Sequence, residues 1–483
     1  MEEREEICGT IETLRSELEG LLVRGLSAAG PDDVRMISVV HDELTRIGAA
    51  HLAGRLDALL AAIRASNRGA PTALLLAQTS LRVFERVLTL DTVAGMLAAA
   101  DEAENGPSGA VQAANLPPPE DRKKLLPILD ELAKAVEDLV ATGLTTASEA
   151  TRQKLDVSFK EASRHKLLRL AASLRYVNEE LGRFLQDSAS FSGKRLAFFL
   201  NRSWLIARGL SQAIRKNDTA VLNRLLMSST PAPIARVEVV PVAVAKRVVK
   251  GSNCSFDFRM RVIKGDGPLE AGQPLVWSCL FAHKMDVPAE AYLHLPQPQK
   301  FIPKVLLDSN VVTVTDAAVS IDDQGRGRLL LGPKSTVTQG KPFKNWEPLW
   351  QWDMSGARGR VERYTPSPLD LEVEMQEEVV LRDWEIGAPA LDTKTELKTF
   401  PVTTKDGLTF SAVVSAGEEG KELTRALNEL RKGKRPPLFG VMHYELCRLM
   451  LRPLSILTDE GPRHLMLSND PVNVRALMGT LKF

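Results

Sequence analysis

Cysteine is scarce in this chain: Cys8, Cys254, Cys279 and Cys447 are the four thiols in 483 residues. No two stand at CxxC spacing, which excludes a zinc knuckle and a dithiol redox pair of that kind. So few thiols in so long a chain fit a reducing compartment. Long apolar runs are missing too. None reaches the ~18 residues that a membrane-spanning helix needs. The first residues, Met1-Glu2-Glu3-Arg4-Glu5-Glu6, are too acidic for a secretory leader. A cytoplasmic protein without membrane association is therefore expected. Net charge is nearly absent as well, at +1, so there is no global pull toward nucleic acid or anionic lipid.

Catalytic signatures are the next absence. The chain has no GxSxG elbow and no HExxH pair. Gly193-Lys194-Arg195 resembles the end of a phosphate-binding loop, but Arg195 stands where Ser or Thr is required and Ser188 where the first glycine belongs. Gly325-Arg326-Gly327 lacks the third glycine of a dinucleotide fingerprint and reads as a hairpin turn. His443 and Cys447, four apart, would share one helix face, yet two ligands do not make a zinc site. Glu372, Glu374 and Glu378 alternate along an expected strand and read as a solvated sheet face. No catalytic residue, metal or cofactor is assigned on these grounds.

What the chain does have is a change of rhythm at Pro231 and Pro233. Before it, apolar residues recur at helical spacing: Ile11, Leu14, Leu18, Leu21 and Leu22, then Val34, Ile37, Val40, Leu44 and Ile47, then Leu52, Leu56, Leu59, Leu60 and Ile63. After it, Ser255 to Val262 alternates as a strand, and β-branched runs such as Val311-Val312-Thr313-Val314-Thr315 follow. A long strand is expected from Leu369 to Ile386, with a β-bulge where its apolar phase slips before Trp384. One helix is expected at 419–432, where Leu423, Leu427 and Leu430 are spaced for it. The expected fold class is multidomain α+β: an N-terminal all-α helical bundle or short solenoid, then a mainly-β C-terminal region. The expected divisions are a helical bundle at 1–102, a proline-bearing linker at 103–120, a second, basic helical block at 121–229, and a mainly-β region at 235–483.

Charge is unevenly spread. Residues 1–115 carry 17 acidic and 10 basic side chains, whereas residues 152–224 carry 15 basic and 6 acidic ones. Solvated helical faces explain this simply. A nucleic-acid reading would place Arg164, Lys166, Arg169, Lys194, Arg195 and Arg202 on phosphates. Tryptophan is clustered: Trp346, Trp350 and Trp352, with Arg358 and Arg360 downstream. Core packing is the ordinary role of such rings. Tryptophan and arginine also dominate hot spots at protein interfaces, so these five residues are the candidate partner-binding set.

Two stretches carry a family resemblance. One is Leu21-Leu22-Val23-Arg24-Gly25-Leu26 with Ile47-Gly48-Ala49-Ala50-His51-Leu52-Ala53-Gly54-Arg55-Leu56. The other is Pro437-Leu438-Phe439-Gly440 with Leu451-Arg452-Pro453-Leu454-Ser455-Ile456-Leu457. Both resemble bacterial proteins encoded beside MoxR-type AAA+ ATPases, von Willebrand A proteins and SWIM zinc-finger proteins. The chain lacks the SWIM cysteine–histidine pattern and any Walker motif, so the resemblance implies an accessory member. The functional expectation is a non-enzymatic scaffold or adaptor that binds protein partners. Its rivals are a nucleic-acid-associated protein using the basic helices and an enzyme whose site is assembled from distant residues near the tryptophan cluster.

Overall fold

The computed structural model describes residues 2–100, 119–146, 149–186, 191–226, 231–249, 253–284, 287–321, 326–350, 357, 366–370, 376–392, 397–405, 407–415, 420–445 and 448–468. The chain divides into two compact units, neither continuous in sequence. The helical unit comprises residues 1–89, 112–228 and 365–371, and the β-rich unit the remainder. Helices therefore precede strands, as the change of rhythm at Pro231 implies.

The helical unit contains α1 (Glu2–Arg24), α2 (Pro31–Arg46), α3 (Ala50–Arg64), α4 (Ala70–Ala100, shared with the second unit), α5 (Pro119–Thr142), α6 (Glu149–Arg164), α7 (Leu168–Leu185), α8 (Gly193–Lys216) and α9 (Thr219–Leu226). Ile37, Val40 and Leu44 of α2 and Leu52, Leu56, Leu59 and Leu60 of α3 are buried, which is the stripe their spacing predicts. The helices before and after the expected linker share one unit. The hub is α8, started by the Ser192 side chain accepting from the Arg195 N–H and buried along most of its length. Its Trp204 and Arg208 donate to Glu137, and its Ser211 and Arg215 to Asp130, so two carboxylates one α5 face apart bind four α8 side chains. On another side, Asn201 donates to the Leu75 carbonyl on α4 at 2.8 Å and accepts from Thr79.

The ends of α1 and α5 meet at two glycines with positive φ, Gly25 (89°) and Gly143 (80°). A Cβ on Gly143 would lie 2.3 Å from the Arg24 carbonyl oxygen, and one on Gly25 would lie 2.4 Å from the Thr142 carbonyl carbon. The Leu144 N–H donates to the Val23 oxygen beside them. This junction fastens the two blocks that the sequence suggests are separate.

The third piece of the helical unit is short. Arg82 and Arg86 of α4 donate to the Asp370 carbonyl at 2.6 and 2.8 Å, and Arg202 of α8 donates to the Leu369 carbonyl at 2.7 Å. Leu369 and Asp370 thus belong to the helical unit, not to the start of a long strand.

The β-rich unit opens with β1 (Ala232–Val249), β2 (Asn253–Lys264), β3 (Pro274–Ala282), β4 (Asn310–Ile321) and β5 (Gly327–Pro342). They close into a barrel in the order β1-β2-β3-β5-β4, with β3 and β5 parallel and every other pair antiparallel. This is the connectivity of the five-stranded OB barrel. Strand β1 is long enough to pair with both β2 and β4, and bulges at Glu238/Val239 and Pro241/Ala243 give it the bend that closure requires. The interior is filled by Phe256, Phe258, Met260, Leu275, Trp277 and Val314, and plugged by the β3–β4 connection through Tyr292, Leu293, Phe301 and Leu306.

A second sheet follows: β6 (Glu377–Leu381), β7 (Trp384–Ile386), β8 (Ala390–Asp392), β9 (Leu397–Thr404), β10 (Thr409–Ser415), β11 (Leu438–Glu445), β12 (Arg448–Thr458) and β13 (Gly461–His464), with helix α10 (Lys421–Lys432). The order is β6-β11-β12-β10-β9-β7, with β13 on β12 and β8 on β9. The single strand expected over 369–386 is corrected here. The phase slip before Trp384 is a break, across which the chain passes from one end of the sheet to the other. His443 lies on strand β11, not on a helix. Leu423, Leu427 and Leu430 of α10 pack on one sheet face with Phe400, Phe410 and Met442. The opposite face, through Phe439, Val441, Leu454 and Leu457, packs on Val240, Val242, Ala243 and Ala245 of the barrel.

Candidate functional site

The tryptophan cluster splits on inspection. Trp346 is 2% exposed and packs in the core between barrel and second sheet. It meets Phe343 edge-on at 4.9 Å and stacks on Trp350 at 6.1 Å. Trp346 is therefore a core anchor and offers no surface. Trp350 is half-buried at the end of a short turn through Glu347-Pro348-Leu349, and its carbonyl accepts from Nε of the exposed Arg382. Trp352, Arg358 and Arg360 lie outside the described residues.

The six basic residues of the helical unit are dispersed in role. Arg202 is 4% exposed, its guanidinium spent on the Leu369 carbonyl and on Ser173. Arg195 is paired through Nε with the buried Glu180 at 2.5 Å, and Glu180 also holds Arg183 and the Ser192 N–H. Arg169 donates to the Arg224 carbonyl, closing α7 on α9. Arg164 pairs with Glu161 at 3.7 Å on its own helix. Lys166 is exposed, in a left-handed turn after α6. Lys194 is exposed at the start of α8. Burial raises the Glu19 and Glu85 carboxyls above the ordinary range, and Lys194 is among the cations that oppose this. Arg202 in particular is closed to a solvent phosphate.

A largely buried charged arrangement lies where the barrel meets the second sheet, and no local pattern in the sequence pointed to it. Glu378, expected on a solvated face, has a side chain only 8% exposed; its carboxylate takes Arg259 Nη1 at 2.6 Å and Arg261 Nη1 at 2.5 Å. Burial alone would raise its pKa, but the two guanidiniums outweigh burial and hold it below the ordinary value. Nearby, Arg452 of β12 reaches across to donate to the Lys246 carbonyl on β1 at 3.0 Å. Burial lowers the Arg452 pKa to about 10, the charges of Arg247 and Arg259 add to this, and Asp257 opposes it. Lys246 itself is neutralised by Glu290 at 2.7 Å. The signal available in sequence was the alternation Asp257, Arg259, Arg261 along β2. Nothing local connects it to residues far downstream.

Reactive groups elsewhere are quenched. The free thiols Cys254 and Cys279 lie inside the barrel, where burial pushes their pKa up to about 11 and about 12. Ser455 is buried with Oγ donating to the Val242 carbonyl at 2.7 Å, which ties β12 to β1. Among the described residues no group of three His, Cys, Asp or Glu is placed to hold a metal ion, and no helix is long and apolar enough to cross a membrane.

No protein-family model matches the chain, and no curated protein does.

Proposed function

We propose that this protein is a non-enzymatic scaffold or adaptor that binds protein partners, with its docking surface beside Trp350. The observation that supports the reading is the pairing of a half-buried indole with an exposed arginine on a braced mount. Trp350 rests on the core ring of Trp346, and Arg382 is held against the Trp350 carbonyl. A rigid aromatic next to a guanidinium is the composition that carries most binding energy at interfaces. The mount is already ordered, so little conformational freedom is lost on binding. The family resemblance of the two leucine-rich stretches implies the class of partner, an AAA+ ATPase of the MoxR type.

The test is tagged capture of the full chain from its native cells. Mass spectrometry should recover an AAA+ ATPase with wild type, and recovery should fall about tenfold with Trp350→Ala and Arg382→Ala, the loss of ~1.4 kcal/mol. Thermal midpoints measured in parallel separate docking from folding. Undiminished capture by both folded variants would remove the proposed surface.

A further inference from the structure

Strand β5 is covered along its first part and bare along its last. It pairs with β3 at Gly327 and Arg328, and Gln299 of the β3–β4 connection donates to the Leu331 and Gly332 carbonyls. There the strand kinks. Its register with β4 jumps from Leu331 against Ala317 to Thr336 against Thr315, around Asp316 with its φ of 50°. Ser335 fastens the kink: it is buried, accepts from the Gly332 N–H at 2.8 Å and donates to the Asp316 carbonyl at 2.6 Å. Beyond it, Thr336 to Pro342 pair with β4 alone among the described residues, while β1 lies on the far side of β4. The arm is thus the outer strand of three, β1-β4-β5.

The free edge of the arm is open. Thr338, Gln339, Gly340, Lys341 and Pro342 are exposed in succession, so neither face of the strand is covered there. An outermost strand turns the N–H and C=O of every second residue away from its neighbour. Lysines stand at both ends of the edge: Pro333-Lys334 at one, Lys341-Pro342 at the other, with Lys344 just beyond. All three lysines are exposed, and none has a carboxylate within ion-pair distance among the described residues. Asp308, at the root of β4, is bonded by Gln339 at 2.7 Å. Between Lys334 and Lys341 run Ser335, Thr336, Val337, Thr338, Gln339 and Gly340, none of them charged. Proline and lysine are the usual protection of an edge strand, but here they stop at its ends and leave a window between.

We propose that this window receives an extended segment of a protein partner as an added strand, and that the segment carries carboxylates at both ends of an uncharged stretch. Backbone pairing supplies the affinity, and the lysines select the strand. A second copy of this chain fits poorly. Two such edges laid antiparallel would set Lys334 of each against Lys341 of the other, and like charges directly opposite are destabilising. The same pair of lysines attracts an acid-flanked strand in either direction. The arm lies past the part of β5 that β3 closes, so the surface is remote from the β2–β3 face. It does not rest on the Trp350 reading.

The experiment is fluorescence anisotropy of a labelled synthetic peptide with the full chain. The peptide alternates threonine and valine over the length of the window and carries paired glutamates at each end. It should bind, and a peptide with lysines in place of the glutamates should bind about tenfold more weakly. Lys334→Glu combined with Lys341→Glu, both at exposed positions and checked by circular dichroism, should reverse that order. Backbone pairing is read separately. N-methylation of one alternate set of peptide amides should abolish binding, and methylation of the other set should leave it. Trp350→Ala should change none of these affinities, so that the edge and the Trp350 surface are tested apart. No binding of the acidic peptide at ~1 mM, or binding indifferent to both methylated sets, would overturn strand addition. Equal affinity for the acidic and basic peptides would overturn the partner's chemistry. A wild-type dimer that the acidic peptide dissociates would assign the edge to a second copy and overturn the partner itself.

Discussion

Gly25 and Gly143 stand back to back, each too close to the other's neighbouring backbone to carry a side chain. Both have positive φ, the conformation glycine adopts at least cost. Through them the ends of α1 and α5 touch, and two helical blocks become one. A methyl at either position would meet backbone atoms, not a flexible side chain that could yield. Gly143→Ala should therefore lower stability by at least about 2 kcal/mol, more than backbone strain alone. Chemical denaturation followed by circular dichroism measures this, and an unchanged midpoint would mean that the two helix ends can part without loss.

Glu378→Gln should be among the most damaging single changes in the β-rich unit. It keeps the shape of the side chain but leaves Arg259 and Arg261 buried without a counter-charge. Removal of one partner from such an arrangement typically costs about 3–5 kcal/mol. The pH dependence has a definite sign. The folded pKa lies below the unfolded one, so this stabilisation is present above the ordinary glutamate value of 4.5 and is lost as pH falls through the folded value. Denaturation midpoints collected at several acidic pH values should show that component in wild type and not in the variant.

His464 on β13 should impose a second, separate pH dependence. Burial pushes its pKa down to about 4 from 6.5, against a smaller opposing contribution from the Leu307 backbone. The unfolded chain then binds a proton that the folded chain refuses. Stability should rise with pH between about 4 and 6.5, by on the order of 3 kcal/mol. His464→Gln should flatten that window, and a steep rise persisting in the variant would assign the effect to another group.

Trp346→Ala should cost about 3–5 kcal/mol, as expected for a large ring removed from a packed core. Trp350→Ala should cost less, because that ring is partly solvated. The two melting temperatures, compared directly, distinguish core anchor from surface aromatic within one cluster. Equal losses would place Trp350 in the core and weaken the adaptor reading.

Cys254 and Cys279 should resist alkylation near neutral pH in the folded protein and react once it is unfolded. Their thiols stay protonated far above pH 7, and the barrel encloses them. Mass spectrometry after brief iodoacetamide treatment reads this out.

How much of this was legible in sequence depended on distance along the chain. Local period was enough for α2, α3 and α10, whose buried leucines are the ones that the spacing selects, and for the alternation of β2. The entry into strands at Pro231 and Pro233 is met by β1 beginning at Ala232. Failures came where a partner is remote. Glu378 looks like any alternating acid until Arg259 and Arg261, more than a hundred residues earlier, are folded against it. The segment around Leu369 has the composition of a strand, but its carbonyls are claimed by arginines on α4 and α8. Trp346 and Trp350 are four residues apart, and only tertiary packing decides which ring is covered. Of the partner-binding set only Trp350 has its surface position described.

The three arginines that hold Leu369 and Asp370 have a consequence for biosynthesis. A ribosome that has released residues 1–228 has produced every helix of the helical unit, yet Arg82, Arg86 and Arg202 still lack these carbonyl acceptors. Roughly 140 more residues must emerge before they arrive, which at typical elongation rates is a delay of about ten seconds or more. During that interval the nascent helices carry cationic side chains with unfinished bonding, and their consolidation waits on a segment translated from the middle of the β-rich half.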